Sequence, residues 1–378
     1  MYQAAGEPVS GALDGIRVVE LGDDSGAYAG RLLAGLGAEV ARVVAPVGLT
    51  VRGWNVDPDP VVQAYLHRGK VPVELPTAKG HRTRRLAQLI DAADIVLESG
   101  APDVLEQLGL PGEDDCLRRE DLIRVRVTPW GIEGDDAMRP SSDIVSSAAG
   151  GFLTLAGWPD RAPTRAYGDQ SWRMGSLYAA VGAMLAVLAR DRDGAGQQVD
   201  VVVTEAVATA LENSLQYADL EGVIRRRSGP GYEEAGSGVY SCADGYLYVM
   251  VGRLSTAQGW QNLTAWLREA GAVGADELSS DEWADYEFRK TLYAQERFRK
   301  VFEDFASRFA KADIYAAAQR RGIAICPINN PNDLLASEHL NARGFFEAGP
   351  DGARHVGAPF RMSGTPWAIA EQKREVPV

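Results

Sequence analysis

Cysteine and histidine are scarce in this chain. Its 378 residues hold three cysteines (Cys116, Cys242, Cys326) and four histidines (His67, His81, His339, His355). An odd, widely spaced set of cysteines is no disulfide framework, so a reducing cytoplasm is the expected compartment. None of these residues has a second Cys or His at metal-ligand spacing, and HExxH is absent, so no metal site is expected. GxSxG is absent too, which removes the local sign of a Ser–His–Asp set. No uninterrupted apolar run reaches about 18 residues, so no bilayer span is expected. The first residues, MYQAAGEPVSGALDG, show neither a basic n-region nor an apolar h-region, so no secretory signal is visible. Positive charge is in deficit: 39 Lys and Arg stand against 52 Asp and Glu, a net charge of −13. That balance argues against nucleic acid and against an anionic membrane surface as partners. It does not exclude a small anionic ligand, which needs only a local cluster of cations or backbone N–H groups.

What is present reads as a globular α/β chain. Apolar residues make up 46%, enough to argue against disorder. From Gly15 strands and helices alternate: 15–21 strand, 26–37 helix, 38–44 strand, 71–75 strand, 82–92 helix, 93–99 strand, 102–108 helix, 122–129 strand. This order predicts a parallel sheet. Residues 141–170 are rich in Gly, Ser, Ala and Pro and read as loop. Residues 171–192 form a long helix that is apolar nearly all round, the mark of a buried element. A turn and strand (194–203) and a second long helix (204–227) follow. The Gly-rich stretch 228–238 is a candidate domain boundary. Beyond it come a hairpin over 239–252 turning at Asp244-Gly245, helices over 260–270, 286–309 and 312–320, and a strand over 323–328.

Three motifs carry candidate chemistry. LGDDSGAYAG (21–30) resembles a dinucleotide loop but lacks GxGxxG spacing and a third glycine for close helix–strand packing. His67-Arg68-Gly69-Lys70 is either a solvated basic loop or a phosphate contact through Lys70. Tyr167-Gly168-Asp169 precedes the long apolar helix. Asp169 or Ser171 can be its N-cap. Alternatively, Asp169 is an ionised, accessible carboxylate beside a helix N-terminus, and such a group can be a nucleophile.

These pieces, in this order, resemble the family III CoA-transferases (the CaiB/BaiF family). The resemblance rests on LDGIRVVELG (13–22) with SGAYAGRLLAGLGAEVARV (25–43), HRGK (67–70), ADIVLES (93–99) with LEQLGL (105–110), and VTPWG (127–131). It continues through YGD (167–169), GSLYAAVGAMLAVLARDRDGAGQQVDV (175–201), GVYSCADGYL (238–247) and the segment 322–346. It spans residues 11–370.

The resemblance implies a Rossmann-like large domain (1–227), a smaller α+β domain (228–330) and a C-terminal segment (331–378) returning to the large domain. It further implies a dimer of interlocked rings, either a homodimer or a heterodimer with a paralogue. The implied activity is CoA transfer between an acyl-CoA and a carboxylic acid. Asp169 would form a mixed anhydride and then an aspartyl-CoA thioester, with no permanently bound cofactor. Arg42, His67, Lys70, Ser99, Gly100 and Arg139 are the implied CoA-binding residues, and Gly229 and Gly231 the glycine loop. The chain departs from the family's pattern at Val71 and Gln107, where the family carries arginine, and at Ser99, where it carries asparagine. Two other activities follow from kinship: a non-catalytic subunit of a heteromeric transferase, and a 2-methylacyl-CoA racemase. The racemase needs a base before the small-residue region, and no histidine lies between His81 and His339. Trp158, Trp172, Tyr167 and Tyr232 flank the proposed site, either as packing groups or as walls for a bulky acyl group.

Overall fold

Alternate residues of the first strands belong to different cores. Val18, Val40, Ile95 and Leu97 pack on one side; Val19, Ala41, Val43 and Val96 pack on the other. A strand whose successive side chains point to opposite faces, both apolar, is a strand buried on both faces. The computed structural model describes residues 11–211, 213–229, 234–251, 257–349 and 352–369. The chain divides into two compact units. The larger holds the described residues up to Thr154, with Arg165–Arg225 and those from Phe345 onward. The smaller holds Leu155–Thr164 and Arg226–Gly344. The segments 228–330 and 331–378 read from the sequence differ from this division: 155–164 and 331–344 both go with the smaller unit.

The larger unit follows the order β1 (Arg17–Gly22), α1 (Asp24–Gly35), β2 (Glu39–Val44), α2 (Pro60–His67), β3 (Val71–Glu74), α3 (Lys79–Asp91), β4 (Ile95–Ser99), α4 (Val104–Leu108) and β5 (Ile123–Thr128). There follow α5 (Asp143–Ala149), the single turn α6 (Phe152–Leu155), α7 (Gln170–Asp193), β6 (Gln198–Val202), α8 (Val203–Thr209) and α9 (Asn213–Glu221). All six strands are parallel, in the order β3-β2-β1-β4-β5-β6. This is the Rossmann-like order, and the strand order reverses between β1 and β4. Helices α1 and α7 cover one face; α3 and α4 cover the other.

In the smaller unit β7 (Ser237–Cys242), β8 (Gly245–Met250) and a third strand, β9 (Ile325–Ile328), make an antiparallel sheet. Helices α10 (Ala257–Glu269), α11 (Asp281–Ala284), α12 (Tyr286–Arg289), α13 (Leu292–Ala306) and α14 (Lys311–Arg320) precede β9; α15 (Pro331–Ala336) and α16 (Glu338–Ala342) follow it. Trp260, Trp283, Phe298, Phe302 and Phe305 fill its core. The chain then rejoins the larger unit through the hairpin β10 (Phe346–Ala348) and β11 (Arg354–Val356), and Trp367 packs on Gly35.

Several sequence expectations are corrected. The helix expected over 204–227 is two helices. Thr209 donates its hydroxyl to Ala206 O, the kind of local bond that competes with helix continuation. The helix expected over 286–309 breaks at Thr291, whose hydroxyl accepts the Ala294 N–H and caps α13. The hairpin turns on Ala243-Asp244, since Cys242 pairs with Gly245. Asp244 is engaged instead in accepting the Lys311 N–H at the start of α14. Helix α2 was not read from the sequence, although Asp59-Pro60 is an N-cap followed by an N1 proline. The loop expected over 141–170 contains α5. Among the described residues α7 alone is long and apolar enough to cross a bilayer by length and composition, a test that the core helix of a soluble protein also passes. The inward residues of α7, Ala179, Ala180, Ala183 and Val187 among them, pack in the core that α1 and the sheet share.

Candidate active site

Asp169 occupies the N-cap position of α7 but makes no capping hydrogen bond. The helix is capped from outside. Asp143, the first residue of α5, accepts the N–H of Ser171 at 2.7 Å and that of Trp172 at 3.3 Å. Ser171 Oγ meets Ser147 Oγ at 2.5 Å and fixes α5 against the start of α7. The groups an N-cap would satisfy are already satisfied, so the Asp169 carboxylate is free for another role. Its side chain is 16% exposed, and Arg165 Nη2 lies 3.3 Å away. Partial burial, then the neighbouring Asp143 charge, raises its pKa above the usual carboxylate value; Arg173 and Arg165 oppose the rise. Of the two N-cap candidates read from the sequence, Asp169 holds the position without the capping bond.

A cavity of about 130 Å³ opens in the same unit at the carboxyl ends of β1, β4 and β5. This is the switch point of the sheet, where open α/β sheets bind ligands. Gly100 and Arg139 line it together with Asp23, Arg52 and Trp172. Trp172 belongs to the first turn of α7, three residues after Asp169; Asp169 itself is not among the residues that line the cavity. Ser99 is buried beneath it and donates its hydroxyl to Asp23 O at 2.7 Å. A Cβ on Gly26 would stand 2.7 Å from the Ser99 Cβ, and one on Gly30 would meet the Glu20 carboxylate. Close helix–strand packing therefore exists without GxGxxG spacing: Gly26 and Gly30 of α1 provide it. The N-terminus of α1 is already capped, because Asp23 accepts the Ser25 N–H at 3.0 Å; burial pushes the Asp23 carboxyl up to about 7.

Arg42, His67 and Lys70 gather elsewhere. Lys70 is 1% exposed, and its ammonium bonds Glu20 Oε1 at 2.7 Å and Ala27 O at 2.7 Å. Burial lowers its pKa to about 8, against the pull of Glu20. The phosphate contact expected of Lys70 is not what this geometry offers: a phosphate cannot reach an ammonium enclosed in the protein. His67 Nδ1 lies 3.3 Å from Lys70 Nζ. An ammonium only donates, so Nδ1 accepts and the ring proton sits on Nε2, 3.5 Å from Asp24 Oδ1. Burial and the Lys70 and Arg42 charges hold His67 below its usual pKa, hence neutral at pH 7. Burial acts to raise Asp24, but His67, the Asp57 N–H and Gln63 outweigh it and hold the carboxylate ionised.

A sequence model of CoA-transferase family III matches residues 13–375. The chain belongs to CoA-transferase family III. It is 35% identical, over 95% of its own length and 92% of the relative's, to the succinyl-CoA:(R)-benzylsuccinate CoA-transferase subunit BbsE of Thauera aromatica. It is 30% identical to the succinyl-CoA–D-citramalate CoA-transferase of Chloroflexus aurantiacus, covering 88% and 82% of the two chains. A crystal structure of a CaiB/BaiF family protein from Brucella suis shares the fold with a TM-score of 0.83 at 23% identity, covering 97% of both chains. The protein is thus a CoA-transferase, and CoA-transferases use CoA thioesters as substrates.

In this family III chain Gly229 belongs to the smaller unit. Its φ is +66°, its N–H donates to Gly157 O at 3.1 Å, and a Cβ there would meet the Trp158 ring at 2.8 Å. Gly231 and Tyr232 lie outside the described residues. Of the other flanking aromatics, Trp172 lines the cavity and Tyr167 is 99% exposed. The residues that sequence reasoning missed are Asp143, Arg52, Asp23, Asp24 and Glu20. For Asp143 a signal existed, since Ser-Ser-Asp followed by Ile-Val is a helix start. What the Asp caps is decided by tertiary packing, and no local pattern shows it.

Proposed function

We propose that the protein transfers CoA between an acyl-CoA and a carboxylic acid through a covalent relay on Asp169. One observation carries the reading: Asp143 takes over the capping of α7 and leaves the Asp169 carboxylate, of raised pKa and paired among the described residues only with the exposed Arg165, out of the helix cap. An Asp169 oxygen attacks the thioester carbonyl and the C–S bond breaks, giving a mixed anhydride and CoA thiolate. The thiolate attacks the aspartyl carbonyl of the anhydride, and the first acid leaves as its carboxylate. The acceptor carboxylate attacks the resulting aspartyl-CoA thioester, and thiolate leaves again. Thiolate then attacks the acceptor's carbonyl and restores Asp169. No proton is gained or lost over the cycle, so neither a metal nor a prosthetic group is needed.

Dicarboxylic acids are the proposed substrates, with succinyl-CoA as the donor. Three relatives, at 35%, 30% and 28% identity, are named for succinyl-CoA or succinate with benzylsuccinate, citramalate or glutarate. The proposed assembly is a dimer of interlocked rings. The outward face of α7 supports it, with Leu177, Tyr178, Val181, Leu185 and Leu188 all exposed.

The test is trapping. With succinyl-CoA present, hydroxylamine should modify Asp169, as read by peptide mass. Asp169→Asn should lower transfer by more than about a thousandfold while leaving CoA binding and folding intact. Transfer at the unaltered rate would refute the assignment. The second reading is a subunit that works with a paralogue, favoured by the relative named as a subunit. It predicts no adduct on the isolated chain and an adduct once a paralogous subunit is added.

A further inference from the structure

The cavity at the switch point has a cation on each of two loops. Arg139 comes from the loop between β5 and α5, and Arg52 from the loop between β2 and α2. The Arg52 loop is held in place by α4 and the residue before it. The Arg52 N–H donates to Gln107 Oε1 at 2.6 Å, and Gln107 Nε2 donates back to Arg52 O at 3.3 Å. Gln107 Nε2 also donates to Asp103 Oδ1 at 2.9 Å, and Asp103 Oδ2 accepts from Arg52 Nη2 at 2.6 Å. A neutral amide both accepts and donates, so it can hold a backbone N–H and C=O together. An arginine at 107 has donors only and could not accept the Arg52 N–H. The departure at Gln107 therefore has a structural consequence: the amide fixes the backbone of Arg52, which lines the cavity.

We propose that Arg52 contacts a phosphate of CoA in this cavity and that Gln107 is its positioning residue. The inference rests on the CoA-transferase reading for the identity of the ligand. The guanidinium is 50% exposed, so it faces solvent where a ligand can reach it. It carries five N–H donors in a fork suited to phosphate, and one bond to Asp103 leaves others free. Arg139 has the same form: its Nε meets Asp136 at 2.8 Å, and its side chain is 66% exposed. In each case a carboxylate orients the arginine while most of its donors remain open.

The test is calorimetric titration of the Asp169→Ala protein, which keeps the covalent chemistry out of the readout. The probes are CoA, dephospho-CoA and pantetheine. Arg52→Gln should weaken CoA binding at least about tenfold and leave pantetheine unchanged. Gln107→Ala should weaken CoA binding in the unaltered background and add nothing once Arg52 is gone, the non-additivity expected of residues acting as a unit. A loss seen equally with dephospho-CoA assigns the contact to the diphosphate; a loss confined to CoA assigns it to the 3′-phosphate. Unchanged CoA affinity in Arg52→Gln, or equal losses for CoA and pantetheine, would overturn the proposal. Additive effects of the two substitutions would overturn the positioning role. A protein that binds CoA through Arg52 but forms no aspartyl adduct would overturn the Asp169 relay alone.

Discussion

The charge state of Asp169 is set by a small number of neighbours, and each can be removed singly. Burial and Asp143 raise its pKa; Arg173 and Arg165 lower it. The relay needs the ionised form, so kcat/KM for transfer should fall as pH drops through that raised value. Asp143→Asn keeps an acceptor oxygen for the Ser171 and Trp172 N–H groups and removes the like charge. The acid limb should then move to lower pH with folding intact. Arg173→Gln should move it to higher pH. Identical acid limbs in all three proteins would exclude Asp169 as the titrating group. The Asp in Tyr-Gly-Asp was legible as a candidate from the sequence, but its freedom from capping was not, because the competing cap lies 26 residues earlier. Lys70 was legible only as a charge. Its burial against Glu20 makes it a structural residue, so Lys70→Met should cost stability of about 3–5 kcal/mol in chemical denaturation. A loss of CoA affinity at full stability would contradict that.

At the scale of elements, strand and helix order was readable because buried parallel strands are continuous apolar runs with β-branched residues. Breaks within long helical patterns were not. At Thr209 and Thr291 a hydroxyl bonded to local backbone ends or starts a helix that the apolar periodicity would continue. The approach of α1 to the sheet was also hidden, because glycines spaced four apart serve it as well as the dinucleotide pattern does. Two glycines make the contrast measurable. Gly26→Ala places a methyl group 2.7 Å from the buried Ser99 Cβ, so strand or helix must shift, costing about 1–3 kcal/mol. Gly80→Ala in α3 meets nothing within 4 Å and should stabilise by up to about 1 kcal/mol through helix propensity. Thermal and urea midpoints should move in opposite directions for the two variants. A stabilised Gly26→Ala protein would show that α1 does not approach the sheet so closely.

For the whole molecule, the opposing quantities are a net charge of −13 and an exposed apolar face on α7. Leu177, Tyr178, Val181, Leu185 and Leu188 fall within about 100° of one another around the helix, at 3.6 residues per turn. Ala179, Ala180, Ala183 and Val187 point the other way, into the core. A helix apolar on both sides is what made 171–192 read as wholly buried, yet among the described residues only the inward face is covered. Two copies of a −13 chain repel each other, but at 0.15 M salt that repulsion is screened beyond about 8 Å, whereas apolar burial is not screened. The proposed dimer should therefore persist, or tighten, as salt is raised from low to physiological strength. Leu185→Glu with Leu188→Glu puts two like charges into the face of each copy. Sedimentation at micromolar concentration should then show monomers, with the circular dichroism of the unaltered chain because the inward face is untouched. A double variant that sediments as the unaltered protein does would exclude α7 as the assembly surface.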